Sequence, residues 1–207
     1  LEVIFKFLEI TELEDPEVMI GYHIFGFDYD YLNERITSVG EEWPNFGRLK
    51  FEGCKMQNLS WKSSAYGFVT IMNIDCPGRI SVDMLPYIKR DYKFSMYTLD
   101  FVGSYFLGEK KTGLKPYHMF QKHEAIMKFK PGDEKNEEYF KALAGNTEIA
   151  EYNIQDTYLV TRLFEFLNVW INLIEISNIM RVTPVDLYTR GQQMRCVAQL
   201  YKTASDD

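Results

Sequence analysis

The order of local sequence patterns is the feature that most constrains the fold of this chain. Short β-rich runs, broken by Gly and Pro, lie before residue 86, and long helical periodicity follows from Thr147. With 207 residues, 46% of them hydrophobic, the chain is long enough to bury one sizeable core. Strands early and helices late therefore predict one α/β structural unit.

Periodicity and turn residues assign the individual elements. The predicted helices are Leu1–Leu13, with Val3, Ile4, Phe7, Leu8 and Ile10 on its apolar face, Tyr29–Ser38, Thr98–Leu107, two consecutive helices from Thr147 through Ile179, and a last helix starting at Thr183-Pro184. The predicted strands are a buried run over Val18–Ile24, one or two β-hairpins within residues 40–80, and Arg79–Leu85.

Composition excludes several classes of protein. No apolar run approaches the ~18 residues of a membrane span. Three widely spaced cysteines, Cys54, Cys76 and Cys196, favour a reducing, intracellular setting in which they act as small buried hydrophobic residues. The net charge of −7 gives no general electrostatic footprint for nucleic acid, although a nuclease cleft needs only local charges.

Two segments carry candidate catalytic carboxylates. In GYHIFGFDYDYL, Asp28 follows the predicted buried strand, and α/β proteins usually place their chemistry at that end of a strand. A helix-capping or turn role for Asp28 is the alternative. In YNIQD, Tyr152 and Asp156 are four residues apart and share one helix face, unless the spacing is coincidental.

The setting of Asp156 indicates a cation partner. It is surrounded in sequence by Ile154, Leu159 and Val160, where an unpaired charge would be costly. The three histidines show none of the spacings of a zinc site. No nucleophile elbow, P-loop or dinucleotide-binding fingerprint is present either.

Taken in order, these segments resemble the family B DNA polymerases. GYHIFGFDYDYL is similar to the second exonuclease motif of that family, and YNIQDTYLV to its third motif, Tyr-x-x-x-Asp. The intervening residues Pro77–Lys111 resemble delta-like and large-DNA-virus polymerases, including the words RDYK, YTLD and FLGEKK. RVTPVDLYTRGQQMRCVAQL resembles the helix leading from the exonuclease domain toward the polymerase domain.

The resemblance implies a ribonuclease-H-like 3′→5′ proofreading exonuclease domain. In it, Asp28 and Asp156 hold two Mg²⁺ ions, or Mn²⁺, and Tyr152 orients the attacking water. His23 and Phe27 lie near the frayed single strand. We expect residues 1–180 to form this domain, with a β-hairpin insertion and a helical C-terminal part, and residues 181–207 to lead toward the polymerase domain.

Two departures from the family pattern concern these motifs. His23 occupies the position where the family usually has Asn, and a neutral imidazole can still donate a hydrogen bond to a sugar or phosphate. The first motif, Asp-x-Glu on the leading strand, is absent, so the domain is expected to be incomplete at its N-terminus. Asp15-Pro16-Glu17 matches those letters, but its proline suits a turn.

The parent enzyme implied by the resemblance extends a primer with dNTPs and removes misincorporated nucleotides. Its partners are primer-template DNA, the single-stranded 3′ end, dNTPs and a sliding clamp, with no membrane. It acts in the nucleus or at a cytoplasmic viral replication site, and the isolated chain is expected to be inactive. The alternatives are a catalytically inactive exonuclease-like scaffold and a free-standing repair exonuclease.

Other polar residues have predicted structural or surface roles. We expect Asp83 to be structural on a central strand, Asp100 to cap the helix that follows it, and Arg190-Gly191 to allow close helix packing. Lys110, Lys111 and Lys115 fit either a phosphate contact or a solvated surface. The hairpin region corresponds in the family to an element that helps to separate primer from template.

Overall fold

The structure is a computed structural model that describes residues 2–63, 67–109, 113–130 and 136–206. Its helices are α1 Glu2–Glu14, α2 Tyr29–Thr37, α3 Met84–Asp91, α4 Leu99–Leu107, α5 Pro116–Met127, α6 Glu137–Phe166, α7 Val169–Met180, α8 Asp186–Thr189 and α9 Gln192–Asp206. Its strands are β1 Val18–Gly21, β2 Lys55–Ser63, β3 Gly67–Asp75 and β4 Ile80–Asp83. One turn of π-helix, Ile24–Asp28, lies between β1 and α2 and is called the π-turn below.

The described chain groups into two compact units. The first combines the residues up to Ser95 with those from Leu167 onward, and the second is Met96–Phe166. The structure therefore divides what the sequence predicted as one structural unit. The mixed α/β class is as predicted, because strands and helices both contribute to the first unit.

In the first unit, β1 and β4 form a parallel pair. The register pairs Val18 with Ile80 and Gly21 with Asp83. Parallel strands need a long crossover, and here it contains the π-turn, α2 and the hairpin. The pairing places the ends of the two strands side by side, so that residues following Gly21 pass close to Asp83.

Both strands of this pair are shorter than predicted. β1 is half-buried and ends at Gly21 rather than Ile24, where the π-turn begins. β4 ends at Asp83, and the following residues, predicted as strand, begin α3. The reason is that the Asp83 carboxylate accepts a hydrogen bond from the Leu85 N–H at 2.9 Å, which caps a helix at that point.

The predicted hairpin is present as antiparallel β2 and β3, with a register that runs from Lys55 opposite Asp75 to Ser63 opposite Gly67. Cys54 and Cys76 flank the two strands as free, buried thiols with their Sγ atoms 3.4 Å apart. Burial raises the pKa of Cys76 to about 12, so this thiol stays protonated at neutral pH. Cys196 is exposed and does not fit the expected buried role.

The core of the first unit is formed by side chains from several of its elements. Its most deeply buried members are Ile36, Phe46, Val82, Met84, Ile88, Val169, Leu173 and Leu187. Helix α1 forms as predicted, but only Ile4 and Leu8 of its predicted apolar face are buried. Val3 is 82% exposed, and Phe7 and Ile10 are each 48% exposed, because the described chain covers only a narrow strip of the helix.

In the second unit, α4 packs against the long helix α6. A Cβ added at Gly103 would lie 2.8 Å from the Leu159 side chain, so the two helices approach closely there. Thr98, not Asp100, caps α4, since its Oγ1 accepts the Phe101 N–H at 3.3 Å and Asp100 lies within the first turn. Gly108 ends the helix with φ +71°, as glycine readily can.

Helix α6 begins ten residues before its predicted start. The Asn136 side chain accepts the Glu138 N–H at 2.9 Å and caps the helix there, ahead of Thr147, where the sequence predicted the helix to begin. Thr147 lies inside the helix and donates to the Leu143 carbonyl at 3.0 Å. The prediction of two consecutive helices is confirmed, because the chain breaks at Asn168 before α7.

The single last helix predicted from Thr183-Pro184 is two helices, α8 and α9. They are separated at Arg190-Gly191, and Arg190 pairs with Asp186 of α8 at 2.6 Å. This dipeptide therefore lies between the two helices, and its role in close helix packing stays a prediction. None of the helices in the described parts of the chain combines the length and apolar character needed to cross a membrane.

Candidate active site

Asp28 is the last residue of the π-turn, not the residue after a strand. Seven positions separate it from Gly21, the end of β1. The chain first reverses at His23, whose φ of +66° lies in the left-handed region, and then forms the π-turn. Phe25 anchors this turn in the core with 2% exposure. The turn thus presents Asp28 at the start of α2.

The buried carboxylate of Asp83 binds the backbone of this segment. Oδ1 of Asp83 accepts the His23 N–H at 2.7 Å, and Oδ2 accepts the Phe25 N–H at 3.0 Å. The Leu85 N–H completes the set at 2.9 Å. Burial raises the pKa of Asp83, and the three N–H donors oppose that rise. The structural role predicted for Asp83 agrees with these contacts.

The Asp28 side chain is exposed and makes no capping hydrogen bond to α2. The capping alternative is therefore excluded for this carboxylate. Partial burial of the carboxyl group raises the pKa of Asp28, while its own backbone N–H and the nearby His23 oppose the rise. An exposed carboxylate that does not cap a helix is available to an external ligand.

Exposed aromatic side chains lie next to Asp28, one in the π-turn and one in α2. Phe27 is 65% exposed and stacks on Tyr31 with ring centroids 6.5 Å apart and planes 7° apart. The Arg35 guanidinium lies 5.8 Å from the Tyr31 ring centroid. The His23 ring occupies the space where a Cβ on Gly26 would lie. The family motif indicated His23 and Phe27 but not Tyr31 and Arg35, although the spacing of four residues from Phe27 to Tyr31 and from Tyr31 to Arg35 predicts these contacts.

Tyr152 and Asp156 lie on one face of α6, as their spacing predicts. Both side chains are half-buried. Leu159 and Val160 are buried one turn further along and fix the rotation of this helix. Ile154 is 69% exposed, so the predicted apolar surroundings of Asp156 consist of the later residues only.

The structure thus brings the candidate residues together in two groups. His23, Phe27 and Asp28 share one turn of the first unit, and Tyr152 and Asp156 share one helix face of the second. Within the described residues, no group of three or more His, Cys, Asp or Glu side chains is arranged to hold a metal ion. The convergence of the two groups on shared metal ions therefore remains a prediction.

The Asp15-Pro16-Glu17 segment is a turn whose acids are paired with arginine. Arg48 contacts Asp15 at 2.8 Å and Glu17 at 2.8 Å, and Arg79 contacts Asp15 at 3.0 Å. The hydrogen bonds from Arg48 hold the pKa of both acids below the ordinary value. These pairs agree with the turn interpretation, because arginine contacts both acids and engages both carboxylate oxygens of Asp15.

The three lysines predicted to contact phosphate precede α5 in the sequence. Lys110 and Lys111 lie outside the described residues. Lys115 directly precedes α5 and makes no capping hydrogen bond with its side chain. A role for Lys115 in binding phosphate remains a prediction.

Comparison with known proteins identifies the class to which this site belongs. Residues 1–102 match the family model described as DNA polymerase family B, exonuclease domain. The match covers the whole of β1, the π-turn, the hairpin and β4, which together hold Asp28 in place. The chain belongs to the family B DNA polymerases, and its first half is exonuclease-domain sequence. This family implies the ribonuclease-H-like fold predicted from the motifs.

Individual relatives extend the similarity over nearly the whole chain. The DNA polymerase of Invertebrate iridescent virus 3 is 34% identical over 203 residues, which is 97% of this chain and 17% of the relative. The DNA polymerase delta catalytic subunit of Candida albicans is 29% identical over 202 residues, 97% of this chain and 18% of the relative. That of Schizosaccharomyces pombe is 31% identical over 191 residues, 92% and 16% respectively. The chain therefore spans about one-sixth of the length of these relatives.

Proposed function

We propose that this chain is part of a replicative DNA polymerase and contributes part of its two-metal 3′→5′ proofreading exonuclease site. One observation carries the proposal: within the matched exonuclease-domain residues, Asp28 is presented on a braced turn with its carboxylate exposed and not used for capping. A scaffold without catalytic activity has no use for an exposed acid held in this way.

The donor set fits a hard divalent cation. Asp28 and Asp156 offer carboxylate oxygens, which Mg²⁺ and Mn²⁺ prefer, and the three cysteines lie elsewhere. We assign these two acids as metal ligands, together with the acids of the first exonuclease motif, which this chain lacks. When bound, two divalent cations would stabilise the attacking and leaving oxygens of the phosphodiester.

The remaining site residues act on water and on the DNA strand. Tyr152, one turn before Asp156, places a phenol hydroxyl on the same helix face and would orient the attacking water. Phe27 and Tyr31 offer stacked, exposed rings to unpaired bases, with Arg35 adding positive charge beside them. Stacking tolerates any base, as proofreading requires. His23 would donate a hydrogen bond to the sugar or phosphate.

The whole enzyme has a wider proposed role. It would synthesise DNA from dNTPs on a primed template, remove mismatched 3′ ends and bind a sliding clamp, in the nucleus or at a cytoplasmic viral replication site. Residues 1–180 would belong to the proofreading domain and residues 181–207 would lead toward the polymerase domain.

The decisive experiment compares variants of the intact polymerase encoded by the full open reading frame. Asp28→Ala should lower removal of a mismatched 3′ nucleotide by at least about 100-fold, because several kcal/mol of charge stabilisation are lost. Asp30→Ala, in the first turn of α2, is the matched control and should retain proofreading. Primer extension by both variants should match wild type. Equal mismatch removal by Asp28→Ala and wild type would refute the assignment.

The hairpin has a proposed role in strand separation. Deleting the whole of Glu52 to Thr70 would leave the buried Ile71 and Ile74 of β3 without a partner strand. Ser60 pairs with Thr70, so replacing residues 60–70 with Asn-Gly shortens the hairpin in register.

This shortened enzyme should transfer a primer end poorly from duplex DNA and still digest single-stranded DNA at the wild-type rate. The measurement is digestion of matched single-stranded and mismatched duplex substrates. Loss of single-strand digestion as well would show that the hairpin serves the active site itself.

A further inference from the structure

The Asp83 carboxylate makes more contacts than a helix cap requires. A cap needs one hydrogen bond, which Leu85 supplies. The other two bonds reach residues 60 and 58 positions earlier in the chain, at His23 and Phe25. The side chain is only 2% exposed. Both carboxylate oxygens are therefore used to hold a segment that is not part of the helix Asp83 caps.

The segment needs this support because its backbone is irregular. After Gly21 the chain leaves β1, and the N–H groups of His23 and Phe25 lie beyond the paired residues of β1 and β4. Buried N–H groups without an acceptor are costly, so the turn is stable only where an acceptor lies in reach. The parallel register, with Gly21 opposite Asp83, brings that acceptor to the required position.

The hydrogen bond from the Phe25 N–H to the Asp83 carboxylate fixes the backbone of the π-turn three residues before Asp28. The buried Phe25 ring and the left-handed His23 backbone leave this short segment little freedom to adjust. A shift of the Phe25 backbone is therefore passed on to Asp28. Displacement of a catalytic group by ~1 Å costs about 100-fold in rate.

We infer that Asp83 is a positioning residue of the proofreading site, which it serves by fixing the backbone of the π-turn that presents Asp28. This inference rests on the proposed exonuclease function. Asp83 itself contacts neither metal nor DNA in this role; both of its oxygens are occupied by backbone N–H groups.

The test uses Asp83→Asn in the intact polymerase. An asparagine oxygen at the Oδ1 position keeps the His23 and Leu85 bonds, and its amide nitrogen then faces the Phe25 N–H as a second donor. We expect a fall of at least tenfold in exonuclease kcat on single-stranded DNA and a change of less than threefold in KM. The metal concentration for half-maximal activity should rise, since a displaced Asp28 binds the ion less well.

Val82→Ala is the matched control for loss of stability. Val82 is the neighbouring residue of β4, is 1% exposed and pairs with Ile20 of β1 rather than with a residue of the π-turn. Its truncation should lower the melting temperature while kcat below that temperature stays near wild type. Hydrogen exchange of the peptide covering His23 to Asp28 should quicken in Asp83→Asn and not in Val82→Ala.

Three outcomes decide the inference. Loss of kcat in Asp83→Asn no greater than in Val82→Ala would overturn it. If Asp83→Asn does not fold, Asp83→Ser, which retains a cap for Leu85 only, takes its place, and failure of both would show a general folding role and also overturn it. A wild-type rate for Asp28→Ala refutes the proposed function, whereas an inactive Asp28→Ala with an active Asp83→Asn refutes this inference alone.

Discussion

The two segments that carry the candidate carboxylates are held in place in different ways. Asp28 lies on an irregular turn whose backbone depends on Asp83, 58 to 60 residues away from its bonding partners. Tyr152 and Asp156 lie on a 30-residue helix, and their shared direction follows from helix geometry alone. The first group is positioned by tertiary contacts and the second by secondary structure. Distant substitutions should therefore disturb the first group and leave the second intact.

The largest effect is expected from breaking the helix spacing. Inserting one Ala between Asn153 and Ile154 rotates Asp156 by about 100° relative to Tyr152. Exonuclease activity of the intact enzyme should fall at least about 100-fold, because the two groups no longer share a face. An Ala inserted after Gly40, in an open loop, should leave the rate unchanged. Activity retained in the helix insertion would mean that the shared face is unimportant.

The next effect concerns the packing that fixes the rotation of α6. In Gly103→Ala the new Cβ would meet the buried Leu159 at 2.8 Å, and such overpacking costs about 1–3 kcal/mol. Urea unfolding measures this loss of stability, and hydrogen exchange of α6 peptides shows whether it is localised in that helix. Gly145→Ala, where the neighbour is the flexible Lys122 side chain at 3.3 Å, should instead stabilise α6 by about 0.5–1 kcal/mol. If Gly103→Ala did not lower the free energy of unfolding, the close approach of α4 and α6 at Gly103 would be refuted.

A smaller effect is expected at the surface of the π-turn. Gly26→Ala places a Cβ 2.3 Å from the His23 ring, which must rotate away. If the ring contacts DNA, KM for single-stranded DNA should rise about fivefold, equivalent to about 1 kcal/mol. His23→Ala should give the same rise, and the double variant no more than either. Additive rises would show that the two residues act separately. Gly53→Ala, with open space around it, is the control.

The smallest effect is expected where acids are paired on the surface. Arg48 lowers the pKa of Asp15, so this pair adds stability above the unfolded pKa of about 3.9, which is lost as pH falls through the lower folded value. Arg48→Ala should therefore flatten the acid side of the stability curve slightly and leave exonuclease activity unchanged. Urea midpoints from pH 5 down to pH 3 measure this. A change in the exonuclease activity of Arg48→Ala would contradict this prediction and would indicate that Asp15 belongs to the active site.

The helix face was predictable from the sequence because its signal is local. A spacing of four residues places Tyr152 and Asp156 together in any α-helix. The start of α6 was placed ten residues too late, since the helical period is clear only from Thr147 onward and the cap at Asn136 lies ahead of it. α5 was missed because none of its residues is fully buried, so it carries no strong apolar period.

The π-turn was not predictable, because its cause is distant. GYHIFGFDYDYL reads as a strand running into an acid, and nothing within it shows that Asp83 will accept two of its N–H groups. The family resemblance located Asp28 without explaining how it is held. Likewise, helical spacing identified α1, but which of its apolar residues are covered depends on neighbours that the spacing does not specify.

The distance in sequence between His23 and Asp83 also orders the events of folding. The β2–β3 hairpin joins neighbouring residues and can close within about 10 μs. The turn must wait until Asp83 has been synthesised, about 3 to 12 s after His23 at ribosomal rates of roughly 5–20 residues per second. During that interval the nascent segment around Asp28 lacks its Asp83 anchor, so the turn is set only after the 58 to 60 residues that follow it have been made.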